Sequence, residues 1–311
     1  MNKKILIAAT IAIAAWSHPL ISGAESTGAN AASMELPLPN VPSDLREPSA
    51  RAAYILNHFW DAMEWGDTSH SLNTDFMEQN MVNFINLFQH TDDAAVDKSV
   101  NTLMDNASPY HDAYTKIMDL AEKYLYDPYS PMLNEEVYRM FLNHAVGSTV
   151  LSDDEKTRYR YHLSETGKNR RGTQGADFTY IDIAGHEGSL HSFGSAGAMK
   201  LVIFYDPECD SCAEIIAWLS NDSRVNRMIA DGKLSILGIY PDGDPDEWEK
   251  ARTKLPATWT NGYSPDGYIA ENETYSLRIT PTIYLFTPYN VVIGKDLSAI
   301  QLDEWLSHPT E

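Results

Sequence analysis

A chain of 311 residues, 43% of them hydrophobic and 22% charged, carries enough apolar material for two domains of ordinary size. Its formal net charge of −21 repels a phosphate backbone and an anionic lipid surface, which argues against nucleic-acid partners and basic-patch membrane docking. Two cysteines do not make a disulfide-rich scaffold, and a core of this size needs no staples.

Residues 1–24 read as a secretory signal peptide. Lys3 and Lys4 precede a short apolar run, and the small residues Ser22 and Ala24 mark a cleavage site after Ala24. The run is interrupted too soon for a spanning helix; retention as an uncleaved anchor is the alternative. No cysteine follows it to carry a lipid. The chain is therefore expected to be exported, to the periplasm or cell envelope, with no membrane span after cleavage. Loss of both lysines makes the mature protein more acidic still.

Residues 25–45, rich in small residues and proline, read as a flexible leader. From Arg46 the texture is helical. "RAAYILNHFWDAMEW" sets Ile55, Phe59 and Met63 four apart on one face. "NTDFMEQNMVNFINLFQH" repeats the pattern with Phe76, Phe84, Leu87 and Phe88 behind an N-cap at Asn73 or Thr74. Four further helix-like stretches end near Thr166, separated by Pro109, Pro128, Pro131 and Gly147. No fixed period runs through them, so a solenoid is not supported. Residues 46–168 are expected to form an all-helical domain.

"GKNRRGTQG", Gly167 to Gly175, is the composition break. Beyond it "DFTYIDIAG", "MKLVIFY", "KLSILGIY", "TPTIYLFT" and "NVVIG" read as strands, with "CAEIIAWLSND" and "LDEWLS" as helices. Strands alternating with helices predict an α/β sheet domain over 174–311. The fold class expected is thus α+β in two domains, all-α first and α/β second.

Both cysteines lie in "FYDPECDSCAEIIAWL", Cys209 directly after a buried strand and Cys212 one helical turn later. A helix N-terminus stabilises a thiolate through its unsatisfied amides and dipole. Cys209 is therefore a candidate nucleophile, with Cys212 resolving the mixed disulfide. A structural disulfide is the competing reading, but closing so short a loop gains only about 2 kcal/mol. Zinc needs four ligands, and His186 and His191 match no familiar spacing around two thiols. "RITPTIYLF" puts Thr280 and Pro281 just before a strand, where proline marks a turn or a cis bond.

The stretch from Gly175 to Leu306, through "MKLVIFYDPECDSC" and "LRITPTIYLF", resembles the thioredoxin-like superfamily, particularly the exported thiol-disulfide oxidoreductases of bacterial envelopes. That resemblance implies a thioredoxin-like fold, a redox pair Cys209–Cys212, and a cis-proline at Pro281. Thr280 and Pro281 would form the substrate-binding wall, Thr280 presenting backbone, and Tyr205, as a neighbour of the thiols, is the third candidate substrate-binding residue. "FWDAMEWGD" and "EKYLYDPYSPMLNEEVYR" are similar to a helical module of unknown role found ahead of such domains. Two departures stand out. Glu208 replaces the tryptophan that often precedes the first cysteine, and Ile203 occupies the position of a buried acid.

Asp206, Glu208 and Asp210 crowd the thiol with negative charge, opposing the helix dipole and leaving the net shift open. Strong oxidants depend on a stabilised thiolate, so these acidic surroundings point to a reductase or exchanger. The resemblance implies thiol-disulfide exchange on envelope proteins, without a bound cofactor and with a second envelope redox protein resetting the dithiol. The alternative is a non-enzymatic binding or scaffold protein whose cysteines are a staple. Asp242, Asp244 and Asp246 lack the glycine and glutamate of an EF-hand and read as a solvated turn before a helix. The aromatics Phe59, Trp60, Trp65, Tyr124, Tyr126 and Tyr129 read chiefly as core, with a carbohydrate or peptide groove as the alternative.

Overall fold

The computed structural model describes residues 35–252, 255–272 and 274–309; the expected signal peptide lies outside the described residues. The first half contains seven α-helices: α1 Pro48–Asn57, α2 Thr68–Ser71, α3 Thr74–Asn86, α4 Asp93–Ala107, α5 His111–Leu125, α6 Glu135–Gly147 and α7 Asp153–Gly167. The six expected stretches become α1 and α3 to α7. The starts of α3, α4, α6 and α7 are set by side chains that satisfy orphan amides. Asn73, Asp92 and Asn134 accept from the third helical residue, and Ser152 with Glu155 forms a reciprocal capping box. Leu36, in the expected leader, packs on the helical core and donates its amide to Asn80 Oδ1 at 2.8 Å.

One difference concerns α1. It ends at Asn57, so Phe59 and Met63 lie in the turns beyond it, yet both are buried. Aromatic packing replaces helical periodicity there: Phe59 meets Phe84 at 5.6 Å and Trp60 meets Trp65 at 5.6 Å between ring centroids. The core also takes Tyr114 and Tyr138 whole, because each hydroxyl reaches a histidine Nδ1, at 2.9 Å for His144 and 3.0 Å for His162.

The second half is a seven-stranded sheet. Its strands are β1 Thr179–Asp182, β2 Glu187–Ser189, β3 Met199–Phe204, β4 Leu234–Tyr240, β5 Thr260–Tyr263, β6 Thr282–Phe286 and β7 Val292–Gly294, in the order β2-β1-β5-β4-β3-β6-β7. β3, β4 and β5 run parallel, while β1, β6 and β7 pair antiparallel to their neighbours. The helices are α8 Asp210–Asn221, α9 Ser223–Ala230, α10 Pro245–Ala251, α11 Tyr268–Glu271 and α12 Ala299–Ser307.

The period of two in β3 distributes its side chains between two cores. Leu201 and Ile203 meet Leu219 of α8, Val225 of α9, Trp248 of α10 and Leu302 of α12. Val202 and Phe204 meet the aromatic face of Phe178, Tyr275, Tyr284 and Phe286. Lys200 is 3% exposed in the same strand. It is accommodated by three acceptors: Leu190 O at 2.9 Å, His191 O at 3.1 Å and Asn290 Oδ1 at 2.7 Å. Among the described residues, no helix is long and apolar enough to cross a membrane.

β5 and α9 do not show in the sequence pattern. "TNGY" has no apolar alternation; β4 recruits it through parallel pairing from Leu237 with Thr260 to Tyr240 with Tyr263. Gly262 is required there because a Cβ would sit 2.7 Å from the ring of Tyr180.

The two halves have separate hydrophobic cores and are joined largely by charge. Glu135 at the start of α6 holds Lys295 at 2.7 Å and Arg278 at 3.1 Å, and Arg278 also pairs Asp296 at 2.8 Å. These side chains are only 5–16% exposed. Arg278 donates to the Tyr126 carbonyl and lies 4.0 Å over the Tyr126 ring, while Ser276 Oγ donates to Glu165 at 3.0 Å. Removing one partner of such a group leaves a charge buried and uncompensated. Glu135→Ala is expected to cost about 3 kcal/mol, the low end for a broken buried pair since Asp296 still faces Arg278. A lowered urea midpoint with unchanged slope would show it; an unmoved midpoint would mean that the network adds nothing to stability.

Candidate functional site

β3 delivers the chain to Tyr205, and a tight turn then aims it into α8. Asp206 builds that turn: its Oδ1 accepts the Glu208 amide at 2.7 Å and its carbonyl accepts the Cys209 amide at 3.2 Å. Cys209 is the N-cap of α8. Its sulfur occupies the place of a capping oxygen, accepting the Cys212 amide at 3.2 Å. Ser211 Oγ lies 3.0 Å from the same sulfur.

Across the gap stands Thr280, whose carbonyl oxygen is 3.4 Å from Cys209 Sγ and 3.3 Å from Ser211 Oγ. The Thr280–Pro281 peptide is cis, and β6 begins one residue later. Sequence positions 209 and 280 thus come together. Both cysteines are free thiols; Cys209 is half-buried and Cys212 buried. Tyr205 sits behind them rather than at the mouth. It is 3% exposed, and its hydroxyl is given to Asn261 Oδ1 at 2.9 Å. With both cysteines, Leu255 and Pro256 it lines a hollow of about 260 Å³.

The two sulfurs differ sharply in acidity. Partial burial works against the Cys209 thiolate, but donors from the Cys212 thiol, the Ser211 hydroxyl and the Cys212 amide outweigh it and lower the pKa. Burial, with the proton shared toward Cys209, pushes Cys212 up to about 12. The balance left open by the sequence therefore falls on the lowered side, and the shift comes from hydrogen bonds rather than from Asp206, Glu208 or Asp210. A partly accessible, stabilised thiolate before a buried, protonated thiol is an arrangement for attack and then resolution.

Sequence reasoning passed over Ser211, whose only signal is its place within the C-x-x-C. It also missed the groove of about 410 Å³ beside the thiols, lined by Ser211, Ile215 and Trp218 of α8, by Thr280 and Pro281, and by Tyr129 from the helical half. Of the six aromatics weighed for a groove, Phe59, Trp60, Trp65 and Tyr126 are buried core and Tyr124 packs on it. Only Tyr129 lines this groove. Asp244 caps α10, accepting the Asp246 and Glu247 amides, as expected of a turn before a helix. His191 bonds the Gly175 carbonyl at 2.8 Å and His186 faces Asp182 at 3.6 Å.

A parallel core of strands, a C-x-x-C at the first turn of the following helix and a cis-proline facing it define the thioredoxin-like class. A thioredoxin-like protein from Bacteroides caccae is 32% identical, with a TM-score of 0.83 over 88% of this chain and 98% of that one. The chain belongs to the thioredoxin-like proteins. Its residues 17–169 match a domain of unknown function (DUF5106). The C-terminal domain of a protein from Bacteroides fragilis is 36% identical, with a TM-score of 0.43 over 45% of this chain and 99% of that one. The thioredoxin domain of a thiol-disulfide oxidoreductase from Bacteroides vulgatus is 24% identical, with a TM-score of 0.39 over 44% of this chain and 95% of that one. No curated protein matches the chain.

The asymmetry of the thiols is directly measurable. In the reduced protein, iodoacetamide at neutral pH is expected to modify Cys209 first, its rate rising with pH through a midpoint below that of an ordinary thiol. Cys212 should stay unmodified until the pH approaches about 12. Peptide masses after timed quenching report both sites. Equal modification, or a Cys209 midpoint above the ordinary thiol range, would overturn the assignment of roles.

Proposed function

We propose that this chain is an exported thiol-disulfide oxidoreductase acting on envelope proteins, with Cys209 as nucleophile and Cys212 as resolving thiol. The observation that carries the reading is the capping geometry: Cys209 Sγ accepts the Cys212 amide at 3.2 Å while lying 3.4 Å from Thr280 O.

In the reducing direction, the Cys209 thiolate attacks one sulfur of a client disulfide. The Cys209–client S–S bond forms as the client bond breaks, and the departing client sulfur leaves as a thiolate. Cys212 then attacks Cys209, its proton passing to a client thiolate. The second client sulfur is released, and Cys209–Cys212 becomes a disulfide. Two electrons move from protein to client, so the dithiol itself serves where another enzyme needs a cofactor. An envelope redox partner is required to reset it. Thr280 and Pro281 supply the wall along which the client backbone lies, and Tyr205 supports the thiols from behind.

Cys212→Ser removes the resolving step and should accumulate mixed disulfides with client proteins, visible as dithiol-sensitive bands on non-reducing gels. Cys209→Ser should accumulate none. A reduction potential between about −120 and −280 mV would place the pair among working exchangers, whereas closure well below about −300 mV would make it a staple. A staple with no trapped adducts would leave the scaffold reading in its place.

A further inference from the structure

The groove beside the thiols has a wall that the thioredoxin-like half does not supply. Pro128, Tyr129 and Leu133, from the segment between α5 and α6, face Ile215, Trp218 and Pro281 across it. Tyr129 is 83% exposed, yet its backbone is held. Asp127 accepts the Tyr129 amide at 2.9 Å through Oδ1 and the Ser130 amide at 2.9 Å through its carbonyl. Ser130 Oγ donates to Tyr124 O at 2.6 Å. An exposed aromatic on a pinned turn is costly to leave in water and cheap in entropy to bury, as recognition surfaces require.

Charge identifies what would fill the space. Glu214 lines the groove and is exposed, and Glu208 and Asp210 are exposed at the thiol end. Among the described residues none of the three has an ion-pair partner. The groove's own cation is taken, because Arg278 is held by Glu135 and by Asp296 at 2.8 Å. A whole chain of charge −21 adds to that field. The free carboxylates are complementary to a cationic side chain, and the apolar wall to an apolar one.

Building on the oxidoreductase reading, we propose that the helical half selects the client. The occupant is an extended client segment that places its cysteine at Cys209 Sγ, packs a flanking apolar side chain between Tyr129 and Trp218, and points a lysine or arginine at Glu214. The helical domain is thus a specificity wall built onto the redox site.

The test uses the full pre-reduced protein in single turnovers, with second-order rate constants read by fluorescence. Substrates are glutathione disulfide and three labelled peptide disulfides whose cysteine is flanked by Leu and Lys, by Ser and Lys, or by Leu and Glu. The Leu–Lys peptide is expected to react about tenfold faster than either other peptide, the scale of one aromatic anchor or one close charge pair. Tyr129→Ala should collapse the Leu-over-Ser ratio toward one and Tyr129→Phe should keep it. Glu214→Gln should shrink the Lys-over-Glu ratio and its dependence on salt. A wild-type protein that reduces glutathione disulfide but does not distinguish the peptides overturns the wall and leaves the oxidoreductase standing. Ratios unmoved by Tyr129→Ala overturn it as well. Failure to reduce any of the four removes both readings.

Discussion

The guanidinium of Arg278 is the contact on which the arrangement of the molecule turns. It is shared by Glu135 and the Tyr126 carbonyl from the helical half and by Asp296 from the sheet half, and it lies two residues before Thr280. Charge removed this far from water is expensive unless every partner is in place. Each half therefore needs the other to complete the group. A planar fork with several donors suits this role in a way that lysine does not. The consequence reaches the chemistry, because the strand-entry segment that carries Arg278 also sets the carbonyl 3.4 Å from Cys209 Sγ. Tertiary electrostatics, rather than an apolar seam, fixes where the helices stand relative to the thiols.

At the thiols, magnitudes decide between two opposed influences. An exposed carboxylate even 4 Å away contributes about 1 kcal/mol in bulk water, less once salt screens it. A hydrogen bond to a charged acceptor contributes about 1.5–3 kcal/mol, and Cys209 has several such donors. Donors win, which is why Asp206, Glu208 and Asp210 can crowd the first turn of α8 without suppressing the thiolate. Their charge acts outward, on what approaches. Asp206 has a further use in folding the turn that presents the cysteine.

How much of this was legible in the sequence depends on the range of the interaction. Local signals are clear: Cys209 and Cys212 after "MKLVIFY", the proline before "TIYLF", and the cap at Asn73 or Thr74 all act within a few residues. β5 is silent because "TNGY" becomes a strand by pairing with β4 on one side and β1 on the other, and its glycine answers to Tyr180, far away in sequence. Phe59 and Met63 fit a helical period but are buried beyond the end of α1, Phe59 against the rings of Trp60 and Phe84 and Met63 within the same core. Ser211 is silent as a functional residue because its hydroxyl comes within 3.0 Å of Cys209 Sγ only once the cap of α8 has formed. The network of Glu135, Arg278 and Lys295 looks in sequence like three ordinary surface charges.

The same limit explains why the aromatics of the helical half read chiefly as core, with a groove only as the alternative. Its aromatics sit at helical spacings, and most of them are core, as that spacing favours. Tyr110 and Tyr161 are exposed too, but the most exposed is Tyr129, which lies between two prolines in "DPYSP" and belongs to no helical face. A turn pinned by Asp127 and Ser130 holds its ring in solvent beside the groove, and the Arg278 bond to Tyr126 sets that turn against the cis-proline segment. A residue that breaks its neighbours' burial pattern while its backbone is held in a hydrogen-bonded turn invites a role outside the fold. Here the charge network that joins the two halves also brings that residue to the groove beside the C-x-x-C, so one set of contacts serves both stability and the shape of that groove.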